Sequence, residues 1–209
     1  VLHRYQQDFY RWDGAAYRPV EEEPVAGDVW RFLPKGQVLP SASRVSNVMA
    51  ALKGIVHLPK SLEPPCWLGE AVDGYPAPKD LVPLRNGLLD PASGSIHPNT
   101  PRLFNLSSLP FVYDPAEARP PEEWLRFLSD PVTGVWPDDP QSIECLQEMF
   151  GYLLTTDTAF QKMFMLIGPP RSGKGTISRI ITALLGKENV ANPSLSSLSG
   201  EHGLAGLRG

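Results

Sequence analysis

The sequence predicts an α/β chain in two parts: a small, mixed, helix-rich N-terminal region over residues 1–155, and the beginning of a second α/β domain over residues 156–209. Three observations carry this. Apolar residues recur at helical spacing over 43–58 and 142–154. Sixteen of the 23 prolines fall within 59–140. Proline lacks an amide hydrogen and restricts its predecessor, so that stretch is limited to short elements. Finally, an apolar run, a glycine-rich loop and an amphipathic segment follow one another between residues 161 and 186.

Residues 8–20 place aromatic residues on both sides of Asp13-Gly14, a pair suited to the positive φ angles of a tight turn, and predict a hairpin of two short strands. Its aromatic side chains are read as local core rather than as a base-stacking surface, and the acidic run Glu21 to Glu23 as a solvated connector. Over 43–58, Val45, Val48, Met49, Leu52, Ile55 and Val56 define a helix, with Ser41 or Ser43 as its cap. Residues 81–90 read as strand, Asn86-Gly87 turn, strand, and Ser93-Gly94 with Ile96 suggests a second turn. A short helix is expected from Pro121, with Glu122 and Glu123 at its positive end and Trp124, Phe127 and Leu128 facing inward. Another helix runs from Ser142 to about Leu154 on Ile143, Leu146, Phe150, Leu153 and Leu154.

Composition excludes several classes. Of 209 residues 42% are hydrophobic, enough for a core. The apolar run at 163–167 is far shorter than the ~20 residues that cross a bilayer. No apolar leader is visible, so neither a secretory signal nor a membrane association is expected. Cys66 and Cys145 have no metal-type spacing and are read as reduced and structural. His3, His57, His97 and His202 form no ligand pair, so no zinc site is expected. The net charge of −4 hides a gradient. Residues 114–148 carry nine acids against Arg119 and Arg126, whereas residues 150–209 carry six basic and three acidic side chains. That balance argues against a broad nucleic-acid footprint and leaves room for a phosphate ligand near the C-terminus.

The residues that carry chemistry lie in this last part. Residues 163–167 predict a buried strand covered on both faces. Ile177, Ile180, Ile181, Leu184 and Leu185 predict one helix face, closed by Gly186. Between them, Gly168-x4-Gly173-Lys174 has the spacing of the Walker A phosphate loop. Glycines let successive amides converge on one anion, the helix adds its N-terminal amides and positive dipole end, and Lys174 brings a mobile charge to the β- and γ-phosphates. The candidate nucleotide-binding residues are therefore Gly168, Pro169, Pro170, Arg171, Ser172, Gly173, Lys174, Gly175 and Thr176, with Lys174 catalytic. Gly175 stands where the motif usually has the Ser or Thr that touches magnesium. Thr176, one residue later, is expected to face the α-phosphate side; it is the candidate metal residue, holding Mg2+ directly or through water.

These anchors resemble a family. Asn86-Gly87-Leu88-Leu89, Tyr113-Asp114-Pro115, Trp124, Phe127-Leu128, Leu146-Gln147-Glu148-x-x-Gly151-Tyr152, Gln161-Lys162 and the glycine loop together resemble the phage and plasmid primase-helicases. The C-terminal half of those proteins is a superfamily 3 helicase preceded by a small helical domain. The resemblance implies a P-loop NTPase (AAA+-like) domain that begins at residue 156. It implies an ATP- and Mg2+-dependent DNA-unwinding motor, working as a hexameric ring on single-stranded or forked DNA in a bacterial cytoplasm. It also implies an acidic metal-binding strand, a polar sensor and an arginine supplied to a neighbouring site. None is evident after Leu185, so the chain is expected to be a fragment that binds but does not hydrolyse ATP. Two alternatives stay open: a nucleotide kinase of the Gly-Lys-Gly-Thr type, and a non-enzymatic interaction module.

Overall fold

Short antiparallel sheets and five α-helices alternate along the described residues, which in this computed structural model are 1–156, 159–194 and 196. In chain order the elements are β1 (Leu2–Tyr5), β2 (Asp8–Trp12), β3 (Tyr17–Val20), α1 (Glu22–Phe32), α2 (Ala42–Ile55), β4 (Cys66–Trp67), β5 (Val82–Leu84), β6 (Gly87–Asp90), β7 (Ser95–His97), β8 (Leu103–Phe104), α3 (Glu122–Ser129), α4 (Pro140–Leu153) and α5 (Lys174–Leu185). The architecture is mixed α/β. The contacts separate the chain into two units: residues 1–73 with 99–107, and residues 74–98 with the described residues from 108 onward.

In the first unit β1, β2 and β3 form an antiparallel meander. Successive side chains on a strand point to opposite faces, and β2 uses both. Phe9 packs with Val25, Val29, Leu33, Val45 and Met49 of the α1–α2 layer, and Arg11 pairs there with Asp28 of α1. Tyr10 and Trp12 face an aromatic cluster built on Tyr5, Tyr17 and Phe104. The hairpin rings are thus core, as expected. Ser41 caps α2 by accepting from the Arg44 amide. The connector expected at Glu21 to Glu23 is instead the start of α1, with Glu22 and Glu23 in its first turn and Glu22 paired with Lys53 at 2.6 Å. Carboxylates at a helix N-terminus complement the backbone dipole, so an acidic run there favours helix over loop.

The Tyr17 phenol is enclosed and donates to the Pro101 carbonyl at 2.7 Å. Burial pushes it up from 10.0 to about 12. A folded pKa above the unfolded one means that its contribution is complete below pH 10.0 and is lost as pH rises through about 12. Tyr10, also raised by burial, adds to the same slope. Urea unfolding at stepped alkaline pH should therefore show a falling midpoint across this window, and Tyr17→Phe should flatten the fall. An unchanged slope in the variant would remove Tyr17 as its source.

The second unit begins with the meander β5–β6–β7, turned at Asn86 and again at Ser93-Gly94. Val82, Leu84 and Leu109 form a cluster that Leu154 and Leu185 join. Helices α3, α4 and α5 share a second cluster, in which Leu128, Leu146, Met149 and Ile177 are buried and Trp124, Phe127, Ile143, Phe150 and Ile181 pack around them. Pro140 occupies the first turn of α4, and Asp139 accepts from the Ser142 amide at 3.0 Å. Gly186, at φ 87°, ends α5 as expected.

One expected element is not formed. Residues 163–167 form no regular secondary structure, and they are not buried: Met163, Met165 and Ile167 are 86%, 70% and 83% exposed. Only Leu166 reaches the helix cluster. A strand exists by virtue of a neighbour that takes up its amides and carbonyls. Among the described residues no strand lies beside this run. The tail beyond residue 196, from which the acidic strand is expected to be missing, lies outside the described residues.

Candidate functional site

Residues 168–176 connect the apolar run to α5, and their backbone is set by two left-handed positions. Gly173 has φ 85° and Arg171 has φ 65°. A left-handed residue other than glycine carries roughly 1–2 kcal/mol of steric cost, so the loop is held in this turn at Arg171 against local preference. The result is a curl around a small concavity. The Arg171, Ser172 and Gly173 amides have no acceptor among the described residues. They lead directly into the first turn of α5, whose leading amides have no partner within the helix. Successive amides of this kind, aimed past a helix N-terminus, form a concavity that favours anions.

Lys174 closes the curl. Its ammonium donates to the carbonyls of Gly168 at 2.8 Å and Pro169 at 2.7 Å and to Ser172 Oγ at 3.1 Å. All three acceptors are neutral, so the positive charge is not cancelled by any carboxylate there. The loop is braced from behind by α3 and the turn that follows it. A Cβ built on Gly173 would come within 2.7 Å of Val135 Cγ2 and 2.9 Å of Phe127 Cζ. That turn is itself ordered by Asp130, whose carboxylate accepts the Val132 and Thr133 amides at 2.9 and 2.8 Å. These amide bonds, Thr133 first, hold the Asp130 carboxyl below the usual carboxylate range. The Val135 and Trp136 amides then bond back to the Phe127 and Leu128 carbonyls.

Two clefts flank the loop, and a third, of about 770 Å³, reaches Thr176 from the start of α3. One, of about 550 Å³, lies between Thr133, Gly134 and Val135 on one side and Arg171, Thr176 and Arg179 on the other. The second, of about 350 Å³, is reached by Lys174 between Trp136 and the Ile167-Gly168 segment. Among the described residues, three cations, Arg171, Lys174 and Arg179, line the first two clefts and no carboxylate does, whereas Glu122 and Glu123 line the third with Thr176. Arg179 donates to Thr176 Oγ at 3.0 Å. Gly175 contributes no side chain, and a Cβ placed there would lie 3.9 Å from the Arg179 guanidinium.

The residues singled out from the sequence are contiguous, and the fold gathers Gly168, Ser172 and Lys174 within hydrogen-bonding reach while leaving Arg171, Gly175 and Thr176 along the larger cleft. Two features were not read from the sequence. The Asp130–Trp136 turn lies in a stretch whose acid excess suggested only a wet surface, although Asp130-x-x-Thr133-Gly134 is a side-chain-capped turn signal. Arg179 sits on the polar face of α5, where a charged residue has no distinguishing pattern. Among the described residues, no helix is long and apolar enough to cross a membrane and no group of three or more His, Cys, Asp or Glu side chains could hold a metal. No protein-family model matches the chain.

Proposed function

We propose that residues 168–176 hold the phosphates of ATP, and that this chain is the nucleotide-binding portion of a DNA-unwinding ATPase of the phage and plasmid primase-helicase type, acting as a hexameric ring on single-stranded or forked DNA in a bacterial cytoplasm. The observation that carries the nucleotide reading is the curl itself. Amides at 171–173 without an acceptor among the described residues, a left-handed glycine at Gly173 and a lysine charge at Lys174 that meets only neutral acceptors lie together in this loop. A triphosphate entering it offers acceptors to those amides, and Lys174 can exchange its neutral carbonyl partners for phosphate oxygens, which make stronger charge-assisted bonds. The helicase assignment comes from the resemblance of the sequence anchors, and DNA and the ring are inferred with it.

Binding without turnover is the expected behaviour of this chain. Hydrolysis needs a group that orients water against the γ-phosphate. Among the described residues no carboxylate lines the two clefts at the curl, and Glu122 and Glu123 reach only the cleft at Thr176. Titrating the purified protein with ATP by calorimetry tests the reading: saturable one-to-one binding, competed by ADP, is expected. The absence of binding would refute it, and robust turnover would refute the claim about hydrolysis. The Lys174-Gly175-Thr176 order also fits nucleotide kinases, so the same preparation should be offered AMP. Phosphate transfer to AMP would favour that reading instead.

A further inference from the structure

The magnesium expected from the motif does not fit the donors at positions 175 and 176. Position 175, from which a Ser or Thr hydroxyl would reach a cation, is glycine. The next hydroxyl, Thr176 Oγ, is engaged by Arg179 at 3.0 Å. The guanidinium also lies over the face of Gly175, 3.9 Å from where a Cβ would stand. A divalent cation placed at this hydroxyl would therefore sit beside the Arg179 guanidinium. Among the described residues, no carboxylate lines the two clefts at the curl, and Glu122 and Glu123 line a separate cleft that shares only Thr176 with the loop.

We propose that Arg179 takes the place of the metal in this site, supplying the counter-charge beside the phosphates so that the loop binds nucleoside triphosphate with little dependence on magnesium. The proposal rests on the nucleotide reading above. Three features of the structure support it. Arg179 lines the same 550 Å³ cleft as Arg171, Gly173 and Thr176, one turn into the helix that starts at Lys174. The planar fork of a guanidinium matches phosphate oxygens and can bind them in pairs. Its hydrogen bond is to a neutral hydroxyl rather than to a carboxylate, so its charge is available to a ligand. Gly175 and Arg179 are then complementary: the guanidinium supplies the charge that the missing hydroxyl would have recruited.

The test is an ATP titration by calorimetry of the protein as it is, once in saturating MgCl2 and once in excess EDTA. It is repeated with Arg179→Ala, Arg179→Lys and Gly175→Ser. Arg179 is exposed and Gly175 has room for a side chain, and thermal melts of each variant establish that it is folded. The parent protein should bind ATP within about threefold in the two buffers. Arg179→Ala should weaken binding in EDTA about tenfold, the loss expected for one charge-assisted contact, with partial recovery in Arg179→Lys. Gly175→Ser, which restores the usual hydroxyl, should make magnesium tighten binding. If the parent loses more than about tenfold in EDTA, the inference falls and the nucleotide reading stands. If binding is metal-independent but Arg179→Ala behaves as the parent, Arg179 has no such role. If ATP binds in neither buffer, the nucleotide reading falls and takes the inference with it.

Discussion

Replacing Lys174 with alanine is expected to reduce ATP affinity at least 100-fold while leaving the global fold in place. The two halves of this expectation come from different contacts. The ammonium makes hydrogen bonds only to its own loop, at Gly168, Pro169 and Ser172. Losing bonds to neutral acceptors at a partly solvated site costs about 1 kcal/mol net each at most, because water can replace the donor. The helix cluster around Leu128, Leu146, Met149 and Ile177 does not include the lysine. Against phosphate, the same ammonium makes charge-assisted bonds of roughly 1.5–3 kcal/mol, and two of them give the stated factor. Removing it also frees the carbonyls of Gly168 and Pro169, which then point acceptor oxygens at an anion. Calorimetric titration with ATP measures the first effect and a thermal melt the second. Equal affinity in parent and variant would exclude Lys174 as a phosphate ligand. A collapse of the melting transition would mean that the lysine is structural.

How much of this could be seen in the sequence depends on the range of the interactions concerned. The hairpin at Asp13-Gly14, the turns at Asn86 and Ser93-Gly94, and helices α2 to α5 were legible because their signals are local: a turn pair, a cap such as Ser41, or apolar residues three and four apart. Helix α1 carried such a signal in Val25, Val29 and Leu33, but the three preceding glutamates resemble a solvated loop unless their position at a helix N-terminus is weighed. Strand β1 gained its identity only by pairing with β2. The apolar run at 163–167 had the composition of a buried strand, yet strand formation depends on a neighbour that periodicity cannot reveal. The loop itself was legible because all its candidate residues are contiguous. Its support was not: Phe127 and Val135 lie some forty residues upstream and reach Gly173 only through the packing of α3 and its following turn against the loop.

That long-range support makes Gly173 the position where a single methyl group should do the most damage. Gly173→Ala would meet two independent obstacles. Its φ of 85° lies in the left-handed region, where a side chain adds roughly 1–2 kcal/mol. The new Cβ would also stand 2.7 Å from Val135 Cγ2 and 2.9 Å from Phe127 Cζ, closer than carbon atoms tolerate. Relief must come from movement, and each neighbour resists it. Phe127 packs in the cluster of α3, α4 and α5, and Val135 is fixed by its amide bond to the Phe127 carbonyl at 3.0 Å. Overpacking of this kind costs typically 1–3 kcal/mol. The two terms together give about 2–5 kcal/mol, a large part of the ~5–15 kcal/mol that holds a domain folded. Escape by flattening the turn at residue 173 would lower that cost but would turn the amides of 171–173 away from their common centre. Either route should be visible: urea unfolding would show a lowered midpoint if the strain is retained, and ATP titration a loss of binding if the turn opens. Val135→Ala in the same chain separates them, because it removes the nearer contact and leaves the backbone angle. Partial recovery of stability in Gly173→Ala/Val135→Ala is expected. A Gly173→Ala protein as stable as the parent, with ATP affinity intact, would show that this turn is neither strained by a side chain nor needed in its present shape.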